Sequence, residues 1–264
     1  IYKKIIRNIM ADYKDVFVNF DLYENLLEES NKRERHNKVS ILETLNGTKI
    51  ATRHNIYDIK IIKEQFVDLQ YFPTFMPDNF KPKVVLDIGG YIGDLSLYCA
   101  STFGSKVHCY EPTPQNHAII QENINLNKDL NITVFNKGVS DSRQPIMLDV
   151  QEITGEIHAS SHKKYKSHVT TIEVPCVSLN DAIKEINEEK IDLVKIDCEG
   201  QEFEILKNID SYELSTKIDY LAFEYHKFVT DYKNKLENIL KNLEPNFDIL
   251  KKSKKLCFLK SKNA

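Results

Sequence analysis

The sequence predicts an α/β fold in which a doubly wound, mostly parallel sheet follows a smaller flank. Three observations lead there. Short apolar runs of strand length recur from residue 83 onward: KVVLDI, KVHCY, ITVFN, IDLVKID and IDYLAFE. Segments with helical spacing separate them, such as Leu95, Tyr98 and Phe103, or Tyr232, Leu236, Ile239, Leu240 and Leu243. Caps and turn residues stand between the two kinds. Such alternation builds a parallel sheet covered on both faces.

Each element has a local reason. Residues 1–30 read as helical, though untidily. Residues 40–53 read as a hairpin, because Asn46-Gly47 tolerates the positive φ of a tight turn. Ile59, Ile62, Phe66 and Leu69 recur at helical spacing. The composition shifts near Pro73, Pro77 and Pro82, which divides the chain into a cap (1–80) and a main domain (81–264). In the main domain, 83–88 is the first strand. Asp94 favours the first turn of the next helix and Gly104 stops it. Residues 106–110 form the second strand, and Thr113-Pro114 opens a helix reaching about Asn127. Residues 132–136 are the third strand. Residues 146–150 and 170–177 read as an inserted hairpin, with a mobile polar loop (GEIHASSHKKYKSHV) between them. Ser178 caps a helix carrying Leu179, Ala182, Ile183 and Ile186. Strands 191–197 and 218–224 flank one helix with Phe203, Leu206 and Ile209. The Tyr232 helix ends before Pro245. Residues 246–250 and 255–259 close the chain as a hairpin around the lysines at 251–255.

Composition narrows the function classes. Among 264 residues, 41% are hydrophobic, enough for a sizeable core, and the net charge is −3. That balance disfavours nucleic-acid binding through bulk positive charge. No apolar run approaches the ~18 residues of a membrane span, and nothing at the start resembles a secretory signal. The first residue is Ile1 rather than Met, as expected of a trimmed chain or a piece of a longer one. Cysteines 99, 109, 176, 198 and 257 are odd in number and form no C-x-x-C pair. They read as buried, reduced thiols of a cytoplasmic protein, neither disulfide-linked nor bound to zinc.

In sheets of this kind ligands bind outside the carboxyl ends of the strands, where strand order reverses. The first strand ends in Asp87-Ile-Gly89-Gly90-Tyr91-Ile92-Gly93. Glycines there allow a tight turn and a close backbone approach, and the helix after Asp94 offers free N–H groups. The pattern is not G-x-G-x-x-G, since Ile88 stands where its first glycine would fall. The second strand ends in Glu111, one βα unit later. A strand-end acid can accept hydrogen bonds from ribose hydroxyls; alone it would read as a solvated carboxylate. The fourth and fifth core strands end in Lys195-Ile-Asp197-Cys-Glu199 and Glu224-Tyr-His226. Asp197, Glu199, Glu224 and His226 thus converge on one edge. Singly, each reads as a surface charge or a helix cap.

Together these segments resemble the FkbM family of S-adenosylmethionine-dependent methyltransferases. The resemblance is carried by VVLDIGGYIGDLSL (84–97), VHCYEPTPQNHAIIQENINLN (107–127), NKGVSDS (136–142), VPCVSLNDAI (174–183), IDLVKIDCEGQEFEILK (191–207) and DYLAFEYH (219–226). KIDCEG is its most specific part. Gly90 departs from the family, which usually has Ala there. Residues 1–80 match only loosely and are where acceptor specificity is expected. The resemblance implies a Rossmann-like, class I methyltransferase sheet of seven strands with an antiparallel last hairpin. It implies that Asp87, Gly89, Tyr91 and Gly93 surround the amino-acid end of S-adenosylmethionine, that Glu111 holds the ribose, and that Ser140 and Asp141 flank the adenine. Asp197, Glu199 and His226 would face the transferred methyl group and the acceptor.

The implied reaction is O-methylation of a hydroxyl on a sugar, a glycan precursor or another small metabolite. An alcohol sheds a proton on attack. The carboxylate pair Asp197 and Glu199 comes first as its acceptor and His226 second. Either carboxylate could instead orient a sugar hydroxyl or hold a divalent cation, though no metal is implied. Lys195 is assigned to the strand face opposite Asp197, with a structural role. His158, His162 and His168 follow no metal-binding spacing; their loop could act as a lid over the acceptor. Two alternatives stand beside this reading. One is a non-catalytic binding module on the same fold. The other is a methyltransferase acting on nucleic acid or protein. The nucleic-acid version is disfavoured because Asp197-Cys-Glu-Gly replaces the expected Asn/Asp-Pro-Pro-Tyr/Phe motif. The expected partner is a small-molecule or glycan acceptor, without nucleic acid or membrane insertion. The oligomeric state and the acceptor's identity are not legible.

Overall fold

The computed structural model describes residues 16–19, 21–22, 25–26, 38–72, 76–77, 79–153, 156–162 and 169–264. The helix expected over 1–30 and His168 lie largely or wholly outside them. Strands β1 (Val39–Glu43) and β2 (Lys49–Arg53) form the expected hairpin. Gly47 takes φ +84°, and the Asn46 side-chain oxygen accepts from the Thr48 N–H and hydroxyl. Helix α1 (Ile56–Phe66) follows, with the Asn55 side chain accepting from the Asp58 N–H as its cap. Leu69, expected on this helix, lies past its end at φ +52°.

The main sheet then begins. β3 (Val84–Ile88), α2 (Asp94–Phe103), β4 (Lys106–Tyr110), α3 (Pro114–Leu126) and β5 (Ile132–Phe135) form two βα steps in one direction. The runs of β3 and β4 are buried on both faces, as central parallel strands require, while β5 at the sheet edge is only partly covered. Gly104 ends α2 at φ +70°, its N–H turned back to the Ala100 carbonyl. Thr113 occupies the cap position of α3 without a side-chain capping bond; Pro114 begins the helix.

A side sheet is inserted next. β6 (Gly138–Ser140) pairs in parallel with β10 (Cys176–Ser178), while β7 (Ile146–Ile153) pairs antiparallel with both β8 (Glu156–Ser160) and β9 (Val169–Val174). The expected hairpin is therefore a three-stranded sheet. Part of the expected polar loop, residues 156–160, is a strand whose backbone donors and acceptors are taken up by the second edge of β7.

The chain returns through α4 (Leu179–Ile186), capped by Ser178 as expected, to β11 (Ile191–Ile196). The single helix expected next is two: α5 (Glu202–Leu206) and α6 (Ser211–Lys217). Asp210 divides them, its carboxylate accepting from the Glu213 N–H to start a second helix. β12 (Ile218–Glu224), α7 (Tyr232–Leu243), β13 (Phe247–Lys252) and β14 (Leu256–Ser261) complete the described chain.

Strand order in the main sheet is β13-β14-β12-β11-β3-β4-β5, and only β14 runs against the direction of the other six. Order reverses between β3 and β11, so their carboxyl ends open the crevice. One sheet face packs Leu86, Ile88, Val194 and Ile196 against α4, α5 and α7; the other packs Val85, Val107 and Leu193 against α2, Tyr71 and Met76. The cap shares a core with the domain, since Ile50, Ile59, Ile62 and Phe66 meet Ile92 and Leu97. Among the described residues, no helix is long and apolar enough to cross a membrane, and the five cysteines are free.

Asn123 of α3 joins cap to domain. It is fully buried, accepting from the Ala51 N–H at 2.6 Å and donating to the Ile92 carbonyl at 2.9 Å. Asn123→Ala leaves both backbone groups buried and unpaired. Urea unfolding should report a loss of about 1–3 kcal/mol; an unchanged midpoint would show that the cap is not held there.

Candidate active site

The turn after β3 is shaped by contacts that exclude side chains. At φ +81°, Gly89 lies so close to β11 that a Cβ would sit 1.8 Å from the Asp197 carbonyl oxygen. At Gly90 a Cβ would sit 2.2 Å from the Cys109 sulfur. The Asp197 N–H in turn donates to the Ile88 carbonyl at 3.0 Å. The two strand ends at the reversal are thus locked backbone to backbone.

Beneath the turn, Asp87 is fully buried. It accepts from the Ser96 hydroxyl at 2.7 Å and meets Lys195 Nζ at 3.2 Å. The same ammonium donates to the Gly89 carbonyl at 2.5 Å. This corrects the expected placement of Lys195: it stands two residues from Asp197, so strand alternation puts both on one face. Burial works against the Lys195 charge, but Asp87, Asp197 and Asp94 outweigh it and raise its pKa. Asp94 opens α2 beside this group. Burial, opposed by Lys195, lifts its carboxyl to about 8, so it is more than a dipole partner in the first turn.

Two clefts meet above the turn. The first, of about 140 Å³, has apolar walls from Pro112, Val139, Ile146, Leu148 and Ala159, with Glu111 at one side. Glu111 is buried, and its two oxygens accept from the Tyr91 N–H at 2.9 Å and the Thr113 N–H at 2.8 Å. Burial raises its pKa against those two donors. The second cleft, of about 150 Å³, is polar. The cap supplies Lys60, Glu64, Gln65, Gln70 and Tyr71; the sheet edge supplies Asp94, Lys195, Glu224, His226 and Lys255. Tyr57, Ile61, Gly89, Tyr91, Asp197 and Glu199 line both. Tyr91, at φ +52°, is fixed from the cap: its hydroxyl donates to Asp58 at 2.8 Å, and Arg53, paired with the same carboxylate, lies 5.4 Å from its ring centre.

His226 is held by an acid that sequence reading missed. Its Nδ1 lies 2.6 Å from the Glu202 carboxylate, which also accepts the His226 N–H at 3.0 Å. Nε2 faces Asp197 at 3.9 Å and Glu199 at 3.8 Å. Burial disfavours the imidazolium, yet Glu202, with Asp197 and Glu199, lifts the ring to about 9. Near neutral pH it is therefore a cation between carboxylates, not a free base. Glu202 is nearly invisible in sequence, being one of several acids in CEGQEFE.

Of the residues expected at the site, Gly89, Tyr91, Asp197 and Glu199 come together at the shared wall, Glu111 lines the first cleft and His226 the second. Asp87 and Gly93 line neither: Asp87 braces the turn and Gly93, at φ +81°, precedes α2. Ser140 and Asp141 also line neither. Ser140 accepts from the Gln201 amide at 2.7 Å, and Asp141 pairs with Lys207 at 3.0 Å; Gly138 and Val139 line the cleft instead. His162 lies 3.1 Å from the Gln201 side-chain oxygen. Among the described residues, no cluster of His, Cys, Asp or Glu is arranged to hold a metal ion.

The family described as Methyltransferase FkbM domain matches residues 87–249, more than half of the chain. Methyltransferase sdnD of Sordaria araneosa is 26% identical over 179 residues, covering 57% of this chain and 68% of that protein. Methyltransferase 1 of Beauveria bassiana (strain ARSEF 2860) is 23% identical over 168 residues, covering 57% and 66%. The chain thus spans about two thirds of the length of each. Among solved structures, the human methyltransferase 10 domain containing protein superposes with a TM-score of 0.49 at 16% identity, covering 94% of this chain and 99% of that one.

The imidazole provides a direct test. In Glu202→Gln, NMR titration of the His226 ring should show its pKa falling from about 9 toward the ordinary ~6.5. Because the folded value is raised, the stability it contributes is whole below ~6.5 and lost as pH rises through about 9. The wild type should lose urea stability across that window, and the variant less. A wild-type ring titrating near 6.5 would refute this view of His226.

Proposed function

The chain belongs to the FkbM methyltransferase family, and on that premise we propose that it methylates a hydroxyl of a sugar, a glycan precursor or another small metabolite, using S-adenosylmethionine. The observation that carries this reading is the pair of clefts with one common wall at Gly89, Tyr91, Asp197 and Glu199.

The residues of the first cleft fit the cofactor. Apolar walls suit a flat base, and Glu111 keeps a second lone pair on each oxygen for ribose hydroxyls. Gly89 and Tyr91 of the glycine turn, where the two clefts meet, suit the amino-acid end. When bound, S-adenosylmethionine supplies an electrophilic methyl group on a sulfonium. The chain must then align an acceptor against that methyl and exclude water. Asp197 and Glu199, belonging to both clefts, are suited to orient the acceptor's hydroxyl. The His226 cation keeps the two carboxylates in place. Side-chain amides and charges from the cap make the second cleft suited to a polar, hydroxyl-bearing molecule. Its carboxylates and the net charge of −3 work against a phosphate backbone as acceptor.

Titration calorimetry with S-adenosylhomocysteine tests the first cleft. Glu111→Ala should weaken binding roughly 10–100-fold, the loss of one or two charge-assisted hydrogen bonds, while Asp197→Asn should hold affinity and lose turnover. Unchanged affinity in Glu111→Ala would remove the ribose assignment. Label from methyl-tritiated cofactor, incubated with the organism's small-molecule extract, should appear in an alcohol-bearing product.

A further inference from the structure

We infer that Glu224 is the residue that takes the acceptor's proton. This rests on the transferase reading above. Glu224 ends β12 and lines the second cleft. Its side chain is only 13% exposed, with Lys255 Nζ 3.3 Å from Oε1 and the Gln70 amide donating to Oε2 at 3.3 Å. The two donors, one from the β13–β14 turn and one from the cap, fix the carboxylate plane and leave further lone pairs for a proton.

The other groups of the cleft are less suited. His226 has Nδ1 engaged by Glu202 and holds its proton through neutral pH. Asp197 and Glu199 are the counter-charges of that imidazolium. Asp94, lifted to about 8, is mostly protonated near neutral pH and so cannot accept. For Glu224, burial and the Asp197 charge push the carboxyl up to about 7, against Lys255 and His226. Glu64 acts on it indirectly, by favouring the charge of Lys255. A carboxyl titrating near the working pH is matched to general-base work.

Gln65 shows independently that this cleft is prepared for a hydrogen-bonding molecule. It is 1% exposed, lines the cleft, and neither amide atom has a hydrogen-bond partner among the described residues. An acceptor hydroxyl can both donate to and accept from that amide.

The acceptor oxygen bonds the methyl carbon as its O–H bond breaks. The carbon–sulfur bond of the sulfonium donor breaks, its electron pair staying on sulfur. The proton moves to a Glu224 oxygen.

Two readouts test this. The first is label transfer from methyl-tritiated S-adenosylmethionine to the neutral alcohol fraction of the organism's extract, measured against pH. Wild-type transfer should rise with pH through about 7. Glu224→Gln should lose roughly 10²–10⁴-fold and that rise, with S-adenosylhomocysteine affinity within about twofold, and Glu224→Asp should recover part of both. The second is carbon-13 NMR of protein labelled at the glutamate carboxyl. A resonance absent from Glu224→Gln should titrate near 7, at lower pH in Asp197→Asn and at higher pH in Lys255→Met. Wild-type transfer by Glu224→Gln, or a Glu224 resonance titrating near the ordinary ~4.3, overturns the inference. Wild-type protein that binds S-adenosylhomocysteine but labels no alcohol overturns the hydroxyl reading, and this role for Glu224 with it.

Discussion

Lys195 places one ammonium under the point where strand order reverses, and the surrounding architecture is arranged around it. It comes from β11, yet its partners are Asp87 and the Gly89 carbonyl of β3. Removing such a charge from water costs several kcal/mol, so the position is tenable only where counter-charges and acceptors converge. They do: Asp87 pairs with it directly, and Asp94 and Asp197 add their fields. The cation ties two strands that are distant in sequence, neutralises the buried acid under the glycine turn, and fixes the carbonyl of Gly89 that both clefts share.

The backbone lock at the same point explains the shape of the site. A side chain at position 89 would strike the Asp197 carbonyl, so the β3 and β11 turns close on each other only with glycine there. Once closed, they supply residues that line both clefts. The cap completes the outer wall: Asp58 bonds the Tyr91 hydroxyl, and Gln65, Gln70 and Tyr71 face the sheet edge. Methyl transfer needs two molecules to meet end to end across a small gap with water excluded. Two clefts that meet at shared residues place their occupants side by side, as that requirement asks.

Much of this frame was legible in the sequence because it rests on local rules. Doubly buried strands are continuous apolar runs, Gly104 and Ser178 are ordinary helix signals, and Asn46-Gly47 is a turn. The residues that act through space were not. Lys195 was misplaced by one step of strand alternation, and its partners lie about a hundred residues away. Glu202, in a run of acids, is distinguished only by being buried against His226. Ser140 ends strand β6 and Asp141 follows it, and Gln201 and Lys207 engage them, a fact of packing rather than motif. Strand β8 carries too little apolar alternation to declare itself and exists because β7 has a second free edge. Gln65 reads as one more polar residue on an amphipathic helix until the helix is docked on the domain.

The charges of the second cleft form one coupled system. Lys60, Lys195, His226 and Lys255 face Glu64, Asp94, Asp197, Glu199 and Glu224, with Glu202 behind the imidazole, so the acids outnumber the bases. Such an excess cannot stay fully ionised at low cost, and protons are retained where burial is deepest and cations most distant. The His226 ring, beside Glu202, Asp197 and Glu199, keeps its proton up to about 9. Asp94 keeps its own into mildly basic pH. Glu224, with Lys255 on one oxygen and Asp197 nearby, is left nearest the balance point. A group balanced in this way responds most strongly to a new charge or hydroxyl in the cleft, because a small change in field moves its proton. The same excess of acid that makes the cleft costly to fold therefore prepares one carboxylate to exchange a proton with whatever binds there.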